Sequence, residues 1–372
     1  MSARAWSAAA VATLAREAAR SADTHLLQLG LPAFPGIDLY FKDESSHPTG
    51  SLKHRLARSL FLYALCNGRL REGQGTIDAS SGSTAISEAW FARLLGLRFT
   101  AVMPETTAPA KVRLLRDYGA DAVLAPVGAD CRAVARARAA ADDLCFLDQF
   151  GLAERATDWR GNNNIAESIL AQMAREPHPE PAWIVCGAGT GGTSATIGRY
   201  LRLRGTRTRL CVAEPRGGAF AEGWRRRDPD ARASAATVIE GIGRPRAEPG
   251  FLYDVVDAVD EVDDADSIAG AWLLGERLGR RYGGSSGTVL LACLRLARGM
   301  HAAGTGGSIV GLLGDGGERY AETLFDAAWL AARGIDVAAA RAALRRQFDT
   351  GLPPGVPRTG LSPPASFPVR DR

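Results

Sequence analysis

Pro48-Thr49-Gly50-Ser51-Leu52-Lys53-His54-Arg55 (the lysine turn) is the stretch from which the fold of this 372-residue chain can be argued. It contains one of only three lysines, the others being Lys42 and Lys111, whereas arginines number more than forty. A desolvated lysine can lose its proton and form a Schiff base with a carbonyl group, which arginine cannot do. Lys53 stands where a glycine-containing turn enters an apolar helix. The alternative for one isolated lysine in that position is a solvated surface charge.

Strand-like and helix-like segments alternate along the rest of the chain, which argues for parallel sheets with helices on both faces. The sequence therefore predicts an α/β fold of two three-layer α/β/α domains with mostly parallel sheets. The predicted strands are 37–41, 76–78, 99–103, 122–124, 182–186, 210–213 and 308–312. The predicted helices are 84–95, 110–118, 132–141, 165–174, 193–203 and 268–278.

The same pattern predicts five parts of the chain. An N-terminal amphipathic helix (1–30) precedes a first α/β domain (31–150), a connector (151–181) and a second α/β domain (182–330). A helix and a proline-rich tail (331–372) follow. A transit peptide is the alternative for the N-terminal segment, and its acidic residues disfavour that alternative.

Composition excludes several classes of function. The net charge of +4 is too small to indicate a nucleic-acid partner, and no apolar run is long enough to cross a membrane. Six cysteines are scattered without a Cys-x-x-Cys pair, as expected for reduced thiols in a cytoplasmic protein. The five histidines show no metal-ligand spacing, so no metal site is expected.

Gly187-Ala188-Gly189-Thr190-Gly191-Gly192-Thr193 (the glycine loop) follows a predicted strand and opens a helix. Glycines allow backbone N–H groups to approach an anion, and the helix N-terminus adds a favourable dipole, so a phosphate cradle is predicted. Gly187, Gly189 and Gly192 also match the Gly-x-Gly-x-x-Gly dinucleotide pattern, and Glu214 ends the next strand. Taken alone, this segment favours NAD.

Two further segments are rich in hydroxyl groups. Ser80-Ser81-Gly82-Ser83-Thr84-Ala85 (the serine loop) supplies four hydroxyls and exposed amides at a helix start, which suits a carboxylate ligand. A helix cap is the alternative, although one cap needs one hydroxyl. The other segment is Gly283-Gly284-Ser285-Ser286-Gly287-Thr288, for which a flexible loop is the alternative.

Together and in this order, the lysine turn, the serine loop, the glycine loop, Glu240-Gly241-Ile242-Gly243 and Gly284-Ser285-Ser286-Gly287 resemble those of a known family. It is the cysteine synthase family of pyridoxal-phosphate enzymes, which is tryptophan synthase β-like and has fold type II. The resemblance covers residues 40–324 and implies pyridoxal 5′-phosphate as the cofactor. The NAD alternative offers no use for Lys53 or for the serine loop, and is therefore disfavoured.

The resemblance also implies roles for individual residues. Lys53 forms the Schiff base with the cofactor and serves as the general base. The other cofactor-binding residues are Ser83, Gly189, Thr190, Gly191, Gly192, Thr193 and Ser285. The substrate-binding residues are Ser80, Ser81, Thr84 and Gln149 for the carboxylate and Gly241 for the amine. A homodimer acting on a small amino acid is implied as well.

Three departures from the family pattern bear on the substrate. Ser83 stands where the family usually has an asparagine against the cofactor's 3-hydroxyl, and His54 stands where aspartate commonly follows the lysine. Residues 156–164 also differ. These departures look similar to the subgroup that includes bacterial L-cysteine desulfhydrases.

The implied reaction is β-elimination from L-cysteine through an α-aminoacrylate, which yields sulfide, pyruvate and ammonia. A hydroxyl at Ser285 leaves the pyridine nitrogen largely unprotonated, which favours prompt loss of a β-leaving group. One alternative is a cysteine or S-sulfocysteine synthase that joins O-acetylserine or O-phosphoserine to a sulfur nucleophile. A pyridoxal-phosphate-binding regulatory module without turnover is the other.

Overall fold

The computed structural model of the protein describes residues 2–20, 23–107 and 109–351. Its strands are β1 (His25–Leu29), β2 (Ile37–Asp43), β3 (Thr76–Ala79), β4 (Phe99–Pro104), β5 (Asp121–Ala125), β6 (Cys145–Phe146), β7 (Trp183–Gly187), β8 (Arg209–Pro215), β9 (Ala258–Val262) and β10 (Gly307–Leu313). Its helices are α1 (Ala3–Arg20), α2 (Lys53–Cys66), α3 (Ser83–Leu94), α4 (Pro109–Asp117), α5 (Cys131–Ala141), α6 (Gln149–Ala156), α7 (Ile165–Met173), α8 (Gly192–Arg204), α9 (Ala219–Arg226), α10 (Asp264–Leu278), α11 (Gly284–Ala302), α12 (Ala327–Ala331) and α13 (Val337–Thr350).

The first compact unit consists of Met1–Asp23 and His47–Asp158. Its parallel sheet has the strand order β5-β4-β3-β6. The core contains Phe61, Phe91 and Phe99, and apolar residues of α1 pack into the same cluster. Because parallel strands end at a common edge, the serine loop after β3 and the start of α6 after β6 lie side by side.

Among the described residues, the second compact unit consists of 24–46 and 159–351. Its sheet has the strand order β1-β2-β10-β7-β8-β9, and only β1 runs antiparallel to its neighbour. One cluster of buried apolar side chains in this unit extends from β1 to α13. The neighbouring strands β7 and β10 are parallel, so the segments that follow them emerge at the same edge of the sheet.

The predicted α/β class with mostly parallel sheets is confirmed. The N-terminal helix is shorter than predicted, because α1 ends at Arg20 and His25–Leu29 forms strand β1. Residues 24–46, divided in the sequence between the helix and the first domain, belong to the second unit because β2 pairs with β10. The predicted connector 151–181 divides at Asp158 between the units.

The elements that were not predicted are strands β1, β6 and β9 and helices α6, α9, α11 and α12. The segment Gly283–Thr288 enters α11, so it is not the flexible loop that was its alternative. Its glycines have low helix propensity and conceal the helix start, although the helix that follows is buried for most of its length. The proline-rich tail beyond Gly351 lies outside the described residues.

Candidate active site

The lysine turn reverses direction at Gly50, whose φ of +69° lies in the left-handed region that glycine occupies without strain. The Gly50 N–H donates to the His47 carbonyl at 2.7 Å. Helix α2 then begins at Lys53 itself, and the Lys53 side chain is half-buried. The Ser51 hydroxyl is buried with no hydrogen-bond partner within the described residues. The turn therefore presents an amine and a polar group that a bound ligand could satisfy.

A chain of buried hydrogen bonds anchors this turn to the rest of the first unit. His54 Nε2 lies 3.1 Å from Glu17 Oε1, and His54 Nδ1 lies 3.2 Å from Thr49 Oγ1. Thr49 Oγ1 is in turn 2.9 Å from Ser87 Oγ, which donates to the Ser83 carbonyl at 3.0 Å. Two of the three departures from the family pattern, His54 and Ser83, are thus connected through one set of hydrogen bonds.

The serine loop uses one of its hydroxyl groups to hold itself together. Ser80 Oγ accepts the N–H groups of Gly82 and Ala85, both at 3.3 Å. The Ser81 and Ser83 side chains are half-buried. The capping alternative thus applies to the Ser80 hydroxyl.

The Gln149 side chain is hydrogen-bonded to residues at both ends of the serine loop. Its side-chain oxygen accepts the Thr84 hydroxyl at 2.7 Å, and its side-chain nitrogen donates to the Ala79 carbonyl at 2.9 Å. These two bonds leave one amide N–H of Gln149 for a ligand, because the group has two. The first unit therefore brings together Ser80, Ser81, Thr84 and Gln149, the residues that the resemblance implies for the substrate carboxylate.

The residue before Gln149 is strained. Asp148 has a φ of +55°, which costs a non-glycine residue about 1 kcal/mol. Its carboxylate is held by Arg132 through bonds of 2.7 Å and 3.0 Å, and it also caps α6 by accepting the Gly151 N–H. These contacts maintain the strained conformation, which fixes the direction in which Gln149 enters the helix.

In the second unit, the glycine loop connects β7 to α8. Gly191 has a φ of +82°, and a Cβ atom there would lie 2.4 Å from the backbone of Gly250 and Phe251. Thr190 is buried, and its hydroxyl accepts the Gly192 N–H at 3.4 Å. Thr193 is half-buried on the first turn of α8. The loop presents backbone N–H groups at a helix N-terminus, as a phosphate cradle requires.

Ser285 and Gly241 lie near the same edge of that sheet. Ser285 is on the first turn of α11, and a Cβ atom at Gly314, just after β10, would lie 3.2 Å from its hydroxyl oxygen. Gly241 has a φ of +86°, and the next residue, Ile242, packs 2.8 Å from where a Cβ atom at Gly187 would stand. The predicted second-unit residues therefore cluster around the ends of β7 and β10.

A family model described as "Pyridoxal-phosphate dependent enzyme" matches residues 18–313. The chain belongs to this family. Its cofactor is therefore pyridoxal phosphate, and the resemblance inferred from the motifs is confirmed.

Individual relatives agree with this assignment. L-cysteine desulfhydrase Cds1 of Mycobacterium tuberculosis (strain H37Ra) is 52% identical to the chain over 345 residues, which are 92% of this chain and 94% of the relative. The crystal structure of an O-ureido-L-serine synthase superposes with a TM-score of 0.72 at 28% identity, covering 83% of this chain and 96% of that one. A cysteine synthase from Entamoeba histolytica has the same fold, with a TM-score of 0.70 at 23% identity over 82% of this chain and 88% of its own.

The residues of this pyridoxal-phosphate enzyme fit its cofactor. The close approach of Gly250 and Phe251 excludes a side chain at Gly191, so this position contributes only backbone to the turn that would hold a phosphate. In the first unit, the buried Ser51 hydroxyl lies two residues from the lysine expected to bond to the cofactor. A phosphorylated aldehyde could bind to both groups, the backbone of the glycine loop and the polar atoms of the lysine turn.

The NAD alternative fails at the residue on which it depended. Glu214 is fully buried, and its carboxylate accepts the N–H groups of Phe220 and Ala221 at 3.0 Å and 2.7 Å. Burial raises its pKa to about 7, against the lowering effect of those two hydrogen bonds. Glu214 therefore stabilises the start of α9 and is not presented to a ribose.

Several residues around the site were missed from the sequence. Asp78 and Glu88 are fully buried carboxyl groups next to the serine loop, and Glu17 was considered only for its charge. Asp315 follows β10, and its Oδ2 accepts the Tyr320 hydroxyl at 2.6 Å. An acidic residue inside a predicted strand, or on the apolar face of a predicted helix, was the signal that could have found them. Such a residue is expected to be buried, and a buried charged group needs a partner.

The described residues contain no helix long and apolar enough to cross a membrane. They also contain no group of three or more His, Cys, Asp or Glu side chains arranged to hold a metal ion. All six cysteines are unpaired thiols, and four of them are buried.

Proposed function

We propose that this enzyme is a lyase that removes sulfide from L-cysteine, so that cysteine and water yield sulfide, pyruvate and ammonia. The observation that carries this choice is the extensive identity to a relative named as an L-cysteine desulfhydrase, which spans nearly the whole of both chains. The residues at Ser83 and His54, which depart from the synthase pattern, are consistent with it.

Lys53 is the lysine proposed to bond to the cofactor. Lys42 is unsuited because it is fully buried and donates to the Thr24 carbonyl and the Gln172 side chain at 2.8 Å and 2.7 Å. Bound pyridoxal phosphate withdraws electrons from the α-carbon of an amino acid, which weakens its C–H bond. Lys53 Nζ would then accept the α-proton, a step that requires a neutral amine and so excludes arginine at this position.

The remaining candidate residues would bind and orient. Backbone N–H groups of Gly189–Thr193 would hold the phosphate, and the Ser285 hydroxyl would face the pyridine nitrogen. Ser83 would face the 3-hydroxyl of the cofactor. The amides of the serine loop, with Thr84 and Gln149, would bind the substrate carboxylate, and Gly241 would lie behind the substrate amine. Orientation by these groups aligns the α-C–H bond with Lys53.

A synthase is the second candidate, because several relatives are synthases. N-(2-amino-2-carboxyethyl)-L-glutamate synthase of Ralstonia nicotianae is 31% identical over 303 residues, covering 79% of this chain and 84% of that protein. In such a reaction a second nucleophile would take the place of the departing group on the β-carbon. The two candidates share every residue role proposed above and differ in what happens after the leaving group departs.

The direct experiment supplies L-cysteine alone and measures sulfide, pyruvate and ammonia. Equal amounts of all three are expected, and their absence would overturn the lyase assignment. Lys53→Ala and Lys53→Arg should both abolish turnover and the covalent attachment of cofactor to the Lys53 peptide after borohydride reduction. Lys111→Ala, which removes a half-buried lysine from α4, is the matched control and should retain both.

Two further properties stay predictions. The resemblance implies a homodimer, which sedimentation of the purified protein would test. The unpaired thiols are consistent with a cytoplasmic location.

A further inference from the structure

Two buried carboxyl groups lie next to the serine loop, and the proposed reaction assigns no role to either of them. Asp78 is on β3, two residues before the loop, and Glu88 is on α3, which the loop opens. Their side chains are respectively 1% and 0% exposed. Burying two charged carboxylates side by side would cost several kcal/mol, so the pair must be stabilised in another way.

The hydrogen bonds around the pair favour one location for a proton. Asp78 Oδ1 accepts the Ala79 N–H at 2.7 Å, and Oδ2 accepts the Gln149 N–H at 2.9 Å. No donor within the described residues reaches either carboxyl oxygen of Glu88, whose side chain contacts that of Asp78. Two backbone donors stabilise an ionised Asp78, whereas a proton on Glu88 gives that group its only available bond, donated to Asp78.

Electrostatics agree with this arrangement. Burial raises the pKa of both carboxyls, and the negative charge of Asp78 raises that of Glu88 further. Asp148 is the other charge that acts on Asp78, and it is paired with Arg132. Both effects favour a proton on Glu88.

Asp78 connects this pair to the residues expected to bind substrate. Asp78 holds the backbone N–H of Gln149. The side chain of the same residue bonds to Ala79 and Thr84, before and within the serine loop. A shift of Gln149 would therefore alter the direction of its remaining amide N–H and the shape of the loop. A misaligned N–H donor makes a weaker hydrogen bond to an anion.

We propose that Glu88 and Asp78 share one proton and act as positioning residues, fixing Gln149 and the serine loop in the geometry that selects a substrate carboxylate. This inference rests on the proposed role of the loop. It predicts that loss of the Glu88 donor harms binding of ligands with a carboxylate and spares ligands without one.

The test compares L-alanine with L-alaninamide, since neither has a β-leaving group and only the first has a carboxylate. Calorimetric titration of the holoenzyme gives both dissociation constants. Glu88→Met, similar in length and unable to donate, should weaken L-alanine binding by about tenfold, equivalent to about 1.4 kcal/mol, with L-alaninamide changed by less than about threefold. Glu88→Gln, whose amide can still donate to Asp78, should restore wild-type binding.

Equal losses for both ligands, or no loss in Glu88→Met, would overturn the inference, as would a wild-type enzyme that does not prefer L-alanine. If Glu88→Met does not fold, Asp78→Asn provides the test. An asparagine has one oxygen where two N–H groups now bind, so the same selective loss is expected. Failure of the proposed lyase function would instead appear as missing sulfide from wild-type enzyme, and these binding measurements do not depend on it.

Discussion

The imidazole of His54 lies 3.1 Å from the carboxylate of Glu17, although 37 residues separate them in sequence. Both side chains are buried. The contact ties α1 to the residue immediately after Lys53, and the ring of His54 also stacks on His47 with centroids 5.0 Å apart. Helix α1 therefore supports the lysine turn.

Replacing Glu17 by alanine should destabilise the protein by about 1–3 kcal/mol, because it leaves a buried imidazole N–H without an acceptor. Glu17→Gln keeps an acceptor oxygen and should recover much of this loss. Urea unfolding provides the measurement. The control is Asp142→Ala, which removes an exposed ion pair with Arg138 and should change stability by less than about 1 kcal/mol. A Glu17→Ala protein as stable as this control would show that the contact contributes nothing.

The pH dependence of stability should reveal the same pair. Burial lowers the pKa of His54, outweighing the opposing effect of its hydrogen bond to Glu17. The unfolded chain then binds a proton at higher pH than the folded one, so stability is present above the ordinary histidine pKa of about 6.5 and falls as the pH decreases below it.

Glu17 acts in the same direction at lower pH. Burial raises its pKa, but the hydrogen bond from His54 and nearby cationic groups together hold it below the usual value. Its contribution is therefore lost as the pH falls below about 4.5. Burial raises the pKa of Glu214, so its effect on stability has the opposite pH dependence. The contribution of His54 must therefore be measured as a difference between wild type and a variant. Melting temperatures of wild type and His54→Gln should converge between pH 7 and pH 5; parallel curves would contradict the shift.

Cofactor affinity should depend on the backbone at Gly191. An alanine there would be strained by its positive φ and would also overlap Gly250 and Phe251, so the loop must move. Gly205→Ala is the matched control, because Gly205 ends the same helix with a φ of +63° and has open space around it. Titration of apo-protein with pyridoxal phosphate should give at least about tenfold weaker binding for Gly191→Ala than for Gly205→Ala. Equal affinities would remove the glycine loop from the cofactor site.

The parts of the site that were predictable from the sequence are those with a local signal. The glycine loop, the serine loop and the lysine turn each join a turn to a helix start, and their residue types alone indicate anion or Schiff-base chemistry. Gln149 was located only through the family resemblance. The structure explains its position, because β6 pairs with β3 and delivers it beside Ala79.

Other features depend on contacts that no local pattern encodes. Strand β2 pairs with β10, about 270 residues later, and this places 24–46 in the second unit. Glu17 and His54 meet only because α1 packs on α2. Asp78 lies in a predicted strand and Glu88 in a predicted helix, but the contact between their two carboxyl groups is a property of the folded sheet and helix.

Elimination and replacement diverge after the leaving group departs, so the measurement that tests the central claim most directly is the partition at that point. Purified enzyme is given L-cysteine together with isotopically labelled sulfide, and the initial rate of pyruvate formation is compared with the rate at which label enters cysteine. A lyase should form pyruvate faster than it incorporates label. Incorporation that outpaces pyruvate by about a hundredfold, a preference of about 2.7 kcal/mol between transition states, would contradict this account and identify a synthase.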